Sequence, residues 1–286
     1  MMNRASKKLA LTKLDQEEKM AKIKEKKQKE WKLPKRKQPV FKIFRKVFKH
    51  VYRARTESVI ENLPEKAIIV SNHAGKRGPM AICLNYPRFT AMWGHHGMLG
   101  NYFERYKYLR NVLYIQKLHK NKFVATIKPI YEAIFSKFAY KGMHVIGTYT
   151  DMRFITTVRK SMMLLDDNVT VILFPEDSSE GYFDEVTHLF PGFAMLSSAY
   201  YQQSGCDVPV IPAYISNEKE RFIVGEPRYV HEMELDGMSK QKIAEVLKDD
   251  INALYHKYIT TDAPVEKTLT EAPTRTRAYY GEDEKV

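Results

Sequence analysis

The stretch Ala67-Ile68-Ile69-Val70-Ser71-Asn72-His73-Ala74-Gly75-Lys76-Arg77-Gly78-Pro79 decides how this sequence is read. Its apolar opening predicts a strand over residues 67–71, buried on both faces. Its close, Pro79 before Met80-Ala81-Ile82-Cys83-Leu84, predicts a helix with proline in its first turn. His73 therefore stands between a strand and a helix, at the carboxyl end of the strand, where open α/β sheets place ligands. Lys76 and Arg77 add two cations within a turn of it. The plainer reading of a single loop histidine is a solvated residue with no task.

A second stretch has the same grammar. Val169-Thr170-Val171-Ile172-Leu173-Phe174 is rich in β-branched residues and predicts another buried strand. It runs into the polar loop Pro175-Glu176-Asp177-Ser178-Ser179-Glu180-Gly181. A third strand is predicted over Val208-Pro209-Val210-Ile211-Pro212-Ala213-Tyr214-Ile215, and a fourth over Arg221-Phe222-Ile223-Val224. Short strands also read over Phe89–Trp93 and Gly142–Ile146, and helices over residues 122–140, 153–165, 192–203 and 240–258, the last capped by Ser239. The fold class is α/β: a single mixed central sheet flanked by helices, preceded by a basic helical extension.

In order and spacing these segments resemble the glycerolipid acyltransferases, the glycerol-3-phosphate and 1-acylglycerol-3-phosphate acyltransferases, across residues 60–216. That family carries Asn-His-x4-Asp after a strand, a Gly-to-Arg segment, Phe-Pro-Glu-Gly-Thr-Arg after a strand, and a Val-Pro-Val-x-Pro strand. Here the corresponding positions are Asn72-His73, Gly142 onward, Phe174-Pro175-Glu176 and Val208 to Pro212. The resemblance implies an O-acyltransferase of phospholipid biosynthesis. It would move a fatty acyl group from acyl-CoA or acyl-carrier protein, as co-substrate and without a cofactor, to a lysophospholipid or glycerol-phosphate-type acceptor. For that chemistry His73 is the expected general base, and Asn72, Lys76, Arg77, Arg153, Phe174, Pro175 and Ser178 are the expected substrate-binding residues.

The sequence departs from the family at the chemistry itself. The family's Asp, five residues after the His, is Gly78 here. Such a carboxylate holds the imidazole in one tautomer, and losing it from a His-based triad costs on the order of 10⁴ in rate. Asp151, Glu176 and Asp177 are the acids placed to replace it, with Glu176 favoured and Lys76 or Arg77 competing for that carboxylate. The family's Gly-Thr-Arg is Asp177-Ser178-Ser179, and Thr148 stands where its phosphate-contacting Arg falls. Lys76, Arg77 and Arg153 are the cations left for a phosphate. A catalytically degenerate lipid-binding relative is the alternative.

Composition sets the surroundings. The 286 residues carry 47 Lys and Arg against 34 Asp and Glu, a net charge of +13. Residues 1–50 hold eighteen basic and five acidic residues, leaving 29 of each sign in the remainder. The basicity is therefore an N-terminal arm, suited to anionic lipid headgroups or nucleic acid. Nucleic-acid binding has no recognition fold beside that arm. Over residues 40–55, Phe41, Phe44, Val47, Phe48, Val51 and Tyr52 recur at helical spacing among six basic residues. Such a helix is expected to lie on an anionic bilayer; the alternative is that it packs its apolar face on its own domain, and one helix can do both. The expected division is a basic arm and amphipathic helix over 1–56, an α/β domain over 57–259 and a flexible tail over 260–286. No apolar run approaches the ~18 residues of a membrane span, and no secretory signal reads at the start. The expectation is a cytoplasmic protein, peripheral at a membrane. Cys83 and Cys206 lack metal-ligand spacing and read as reduced, buried thiols, and adjacent His95 and His96 do not make a zinc site.

Overall fold

Two apolar runs, Ile68–Ser71 (β2) and Thr170–Leu173 (β5), are buried at every position. Strands with both faces covered read as continuous apolar runs for that reason. In the computed structural model, which describes residues 31–35, 38–179, 181–265 and 267–268, they lie side by side and parallel, Val70 opposite Leu173. Thr90–His95 (β3) and Ile146–Thr148 (β4) continue the parallel array beyond β5. Val210–Ser216 (β6) lies parallel to the other edge of β2. Arg221–Val224 (β7) returns antiparallel to β6, Arg55–Ser58 (β1) lies parallel to β7, and Lys267–Thr268 (β8) pairs antiparallel with β1. The order is β4-β3-β5-β2-β6-β7-β1-β8, one mixed sheet flanked by helices.

The helices are Pro39–Phe48 (α1), Arg77–Asn85 (α2), Tyr102–Lys107 (α3), Lys122–Gly142 (α4), Phe154–Asp166 (α5), Gly192–Ser204 (α6), Val230–Leu235 (α7) and Lys240–Leu254 (α8). Their local signals are legible. Asn121 Oδ1 accepts from the Val124 N–H at 2.9 Å to start α4, and Ser239 Oγ accepts from the Lys242 N–H at 3.2 Å to start α8. Ile243, Leu247, Ile251 and Leu254 of α8 are buried.

Several expectations are corrected. The 56/57 boundary falls inside β1, and α1 belongs to the same compact unit as the sheet. Arg-Thr-Glu-Ser does not read as an interior strand because it is polar. Its Glu57 is buried all the same, because Arg221 donates to it from two nitrogens, at 2.5 and 3.1 Å, with Arg55 at 2.6 Å. A buried charge needs such a partner. Burial alone would raise the Glu57 pKa, but the bonds and charges of Arg221 and Arg55 outweigh it and hold the carboxyl low.

On α1, Phe41 is buried and Phe44, Phe48 and Tyr52 pack against the core, so its aromatic face is turned to its own domain. Gly142 makes that possible, since a Cβ there would fall on the Phe41 ring. Gly142 ends α4 instead of opening a strand. Cys83 is buried, its thiol pushed up to about 12 by burial, whereas Cys206 is only half-buried. Most of the basic arm, and the tail beyond Thr268, lie outside the described residues.

Candidate active site

The parallel register brings the two decisive loops together. Val70 pairs with Leu173, so His73 and Glu176 each leave the sheet three residues past a paired position. The backbone N–H of His73 donates to Glu176 Oε2 at 2.8 Å. This corrects the expected contact: the carboxylate holds the loop, not the ring. The ring is held from within the loop. Ala74 and Gly75 take positive φ, 45° and 67°, turning the chain back so that Nδ1 of His73 meets the Gly75 carbonyl at 2.7 Å. A carbonyl only accepts, so Nδ1 carries the proton and Nε2 is the lone-pair nitrogen.

The walls around that ring are aromatic. Phe174 meets it edge-on at 5.3 Å and Tyr182 stacks on it at 5.1 Å. Burial lowers the His73 pKa to about 4; the Gly75 bond works the other way, and the charge of Lys117 lowers it further. Burial raises the Glu176 pKa, against the pull of the His73 N–H and Lys117.

Lys117 is the cation of the site, and it was not among the candidates. It ends a π-helical segment, Tyr108–Lys117, a rare wide coil found disproportionately at functional sites. Its ammonium donates to Ser178 Oγ and lies 5.6 Å from the centre of the Tyr182 ring. Burial lowers its pKa, opposed by Asp177 and Glu176. Its charge also lowers His95, which burial, His96 and Lys117 together bring to about 4. His95 ends β3 and stacks on Tyr108 at 4.2 Å. Nothing in the spacing of Lys117 from His73 signals this meeting; the fold makes it.

No family model matches the sequence, and no curated protein matches it. Among solved structures the chain is similar to the 1-acyl-sn-glycerophosphate acyltransferase of Thermotoga maritima, at 12% identity, over 74% of this chain and 75% of that one, with a TM-score of 0.39. A likeness that loose carries no argument about chemistry, which rests on the side chains themselves.

The remaining candidates divide. Ser178 is buried and accepts from Lys117, Phe174 meets the His73 ring, and Pro175 is held by its carbonyl, which accepts from the Phe190 N–H at 2.9 Å. Asn72 is scaffold. Its Nδ2 donates to the Ile215 carbonyl at 3.1 Å and its Oδ1 accepts from the Ile215 N–H at 2.8 Å, clamping the end of β2 to β6. Asp177 accepts from the Ser179 N–H at 3.0 Å, which lowers its pKa, and does not meet the ring. Lys76 donates to Glu132 at 2.8 Å and to the Tyr114 hydroxyl at 3.2 Å, while Arg77 donates to the Val51 carbonyl at 3.2 Å. Neither competes for Glu176. Arg153 forms an exposed fork with Asp151, 2.7 to 3.0 Å, over Tyr149. Gly78 is packed so that a Cβ would fall on the His73 carbonyl. A cavity of about 420 Å³ is lined by Tyr182 together with Ala74, Phe183, Tyr214, Asn217 and Tyr255.

Proposed function

We propose that this protein is an O-acyltransferase that moves a fatty acyl group from a thioester, acyl-CoA or acyl-carrier protein, to the hydroxyl of a lysophospholipid or related glycerol-phosphate acceptor. The observation that carries the reading is the Nδ1–H of His73 on the Gly75 carbonyl. It supports a neutral imidazole whose Nε2 takes the acceptor's hydroxyl proton. The alkoxide oxygen attacks the thioester carbonyl and a tetrahedral oxyanion forms. The C–S bond then breaks, and the departing thiolate receives the proton from the imidazolium. Lys117 is the group beside His73 suited to an anion, whether that oxyanion or an acceptor phosphate.

A carbonyl in place of the motif carboxylate keeps the tautomer but stabilises the imidazolium less. The orienting acid of a triad matters about 10⁴-fold chiefly because its amide replacement selects the wrong tautomer. A carbonyl avoids that penalty. Among the described residues no carboxylate bonds the ring, which favours the second reading, a lipid-binding relative without turnover.

The deciding experiment is thiol release from acyl-CoA and acyl-carrier-protein thioesters in the presence of a panel of lysolipids. Acceptor-dependent release that disappears in a folded His73→Ala protein supports the transferase. Lysolipid binding with release at background in the wild type supports the second reading.

A further inference from the structure

Helix α4 is built inside out. Its buried residues are small or kinked: Ala125, Pro129, Ala133 and Gly142. They let α3 and the π segment approach closely enough for Arg105 Nε to donate to the Ala133 carbonyl at 2.8 Å and the Tyr102 hydroxyl to the Ile130 carbonyl at 3.2 Å. The large apolar residues face outward. Phe123, Ile127, Ile130, Tyr131, Ile134, Phe135 and Phe138 are all exposed, Phe123 at 75% and Phe135 at 65%. Steps of three and four put them on one continuous stripe of the helix. Single exposed apolar residues are ordinary, but a contiguous stripe four turns long marks a surface that is covered by something. Phe103 of α3 stands exposed beside this hairpin.

The charges around the stripe say what covers it. Lys122, Lys128, Lys137 and Lys141 of α4 are exposed, as is Lys120 before it. The one acid of the helix, Glu132, is turned inward to Lys76 and Tyr114. A second copy meeting this stripe about a two-fold axis would set lysine against lysine. Among the described residues no helix is long and apolar enough to cross a membrane, so α4 does not span one. An aromatic and aliphatic face edged by lysine, on a helix lying flat, fits the interface of an anionic bilayer. Across the end of α4, α1 shows the same pairing: Val40, Ile43 and Val47 are exposed among Lys42, Lys46 and Lys49.

We infer that the outer face of α4 is a docking surface for an anionic lipid bilayer. The inner face of the same helix grips the His73 loop through Glu132 and Lys76, so docking sets the cleft beside the lipid surface. The inference does not depend on the acyltransferase reading, since a lipid-binding protein without turnover would carry the same face.

The test uses the full chain and vesicles of phosphatidylcholine with or without phosphatidylglycerol. Wild type binds the anionic vesicles in a salt-sensitive way. The triple variant Phe123→Ser, Phe135→Ser, Phe138→Ser, with unchanged far-UV circular dichroism, partitions at least about tenfold less. Equal partition of wild type and a folded triple variant overturns the inference. A wild-type dimer that becomes monomeric in the variant, with no change in vesicle binding, overturns it in favour of a second copy. Should the triple variant not fold, Phe135→Trp replaces it. Its added fluorescence shifts to the blue on anionic vesicles if α4 enters the interface, and no shift overturns the inference.

Discussion

Nδ1 of His73 and the carbonyl oxygen of Gly75, two residues on, lie 2.7 Å apart. A loop of five residues, 72–76, thus does a job usually given to a distant acid: it names the protonated nitrogen. The left-handed conformation of Ala74 and Gly75 is what brings the two atoms together; Gly75 adopts it freely, whereas Ala74, which carries a Cβ, holds it only where the surroundings enforce it.

The first prediction concerns pH and activity. With its pKa lowered to about 4, His73 stays neutral through the physiological range. The acid limb of kcat/KM is expected near pH 4, not near 6.5, and His73→Ala is expected to remove at least about a hundredfold of the rate. A pH–rate profile with its acid limb at 6 or above would contradict the burial of this ring.

Stability has its own pH dependence. His73 and His144 are each lowered to about 4, with burial as the chief cause. The unfolded chain, with histidines near 6.5, binds protons that the folded one refuses. Their contribution is therefore complete above about pH 6.5 and is lost as pH falls from there towards 4. Thermal midpoints measured across that window should fall steadily on the acid side, and His144→Phe should flatten part of the slope.

Restoring the motif acid should not help. Gly78→Asp puts a Cβ onto the His73 carbonyl, so the loop must shift, at a cost of about 1–3 kcal/mol. Urea unfolding and acyl-transfer assays of this variant should show lower stability and no gain in rate. A gain would mean that the loop relaxes into an arrangement with the acid on the ring.

Glu176 and Lys117 should separate in kinetics. Glu176→Gln keeps an oxygen for the His73 N–H and is expected to cost less than Glu176→Ala, which leaves that N–H unsatisfied at about 1–3 kcal/mol. Lys117→Met removes a charge that lowers His73, so the acid limb should move up in pH, and KM for an anionic acceptor should rise about tenfold. An unmoved limb would place Lys117 outside the electrostatics of the ring.

The buried pair of Glu57 and Arg221 offers a test away from the site. Glu57→Ala strands a guanidinium that is 7% exposed, and removing one partner of such a pair costs about 3–5 kcal/mol. Denaturant midpoints should drop accordingly. A change under about 1 kcal/mol would mean that water reaches Arg221.

Where the chain buries both faces of a strand, the residues alone determined the outcome. Ile68–Ser71 and Thr170–Leu173 read as interior strands from their β-branched apolar runs and polar flanks, while it was the parallel register that set the His73 and Glu176 loops at one sheet edge. Helix starts at Asn121 and Ser239 were equally local, since a cap needs only its own next three residues. The tertiary structure decided what depends on partners far along the chain. β1 is a strand because Arg221 neutralises Glu57, 164 residues away. Periodicity found α4 but not which face it buries, because the small residues that permit close packing and the large ones that do not share one helical period. Lys117 entered the site through the turn of a π segment, and Lys76 and Arg77 left it for Glu132 and the Val51 carbonyl. A long side chain's destination is set by the nearest unsatisfied acceptor in space, which no spacing along a sequence records.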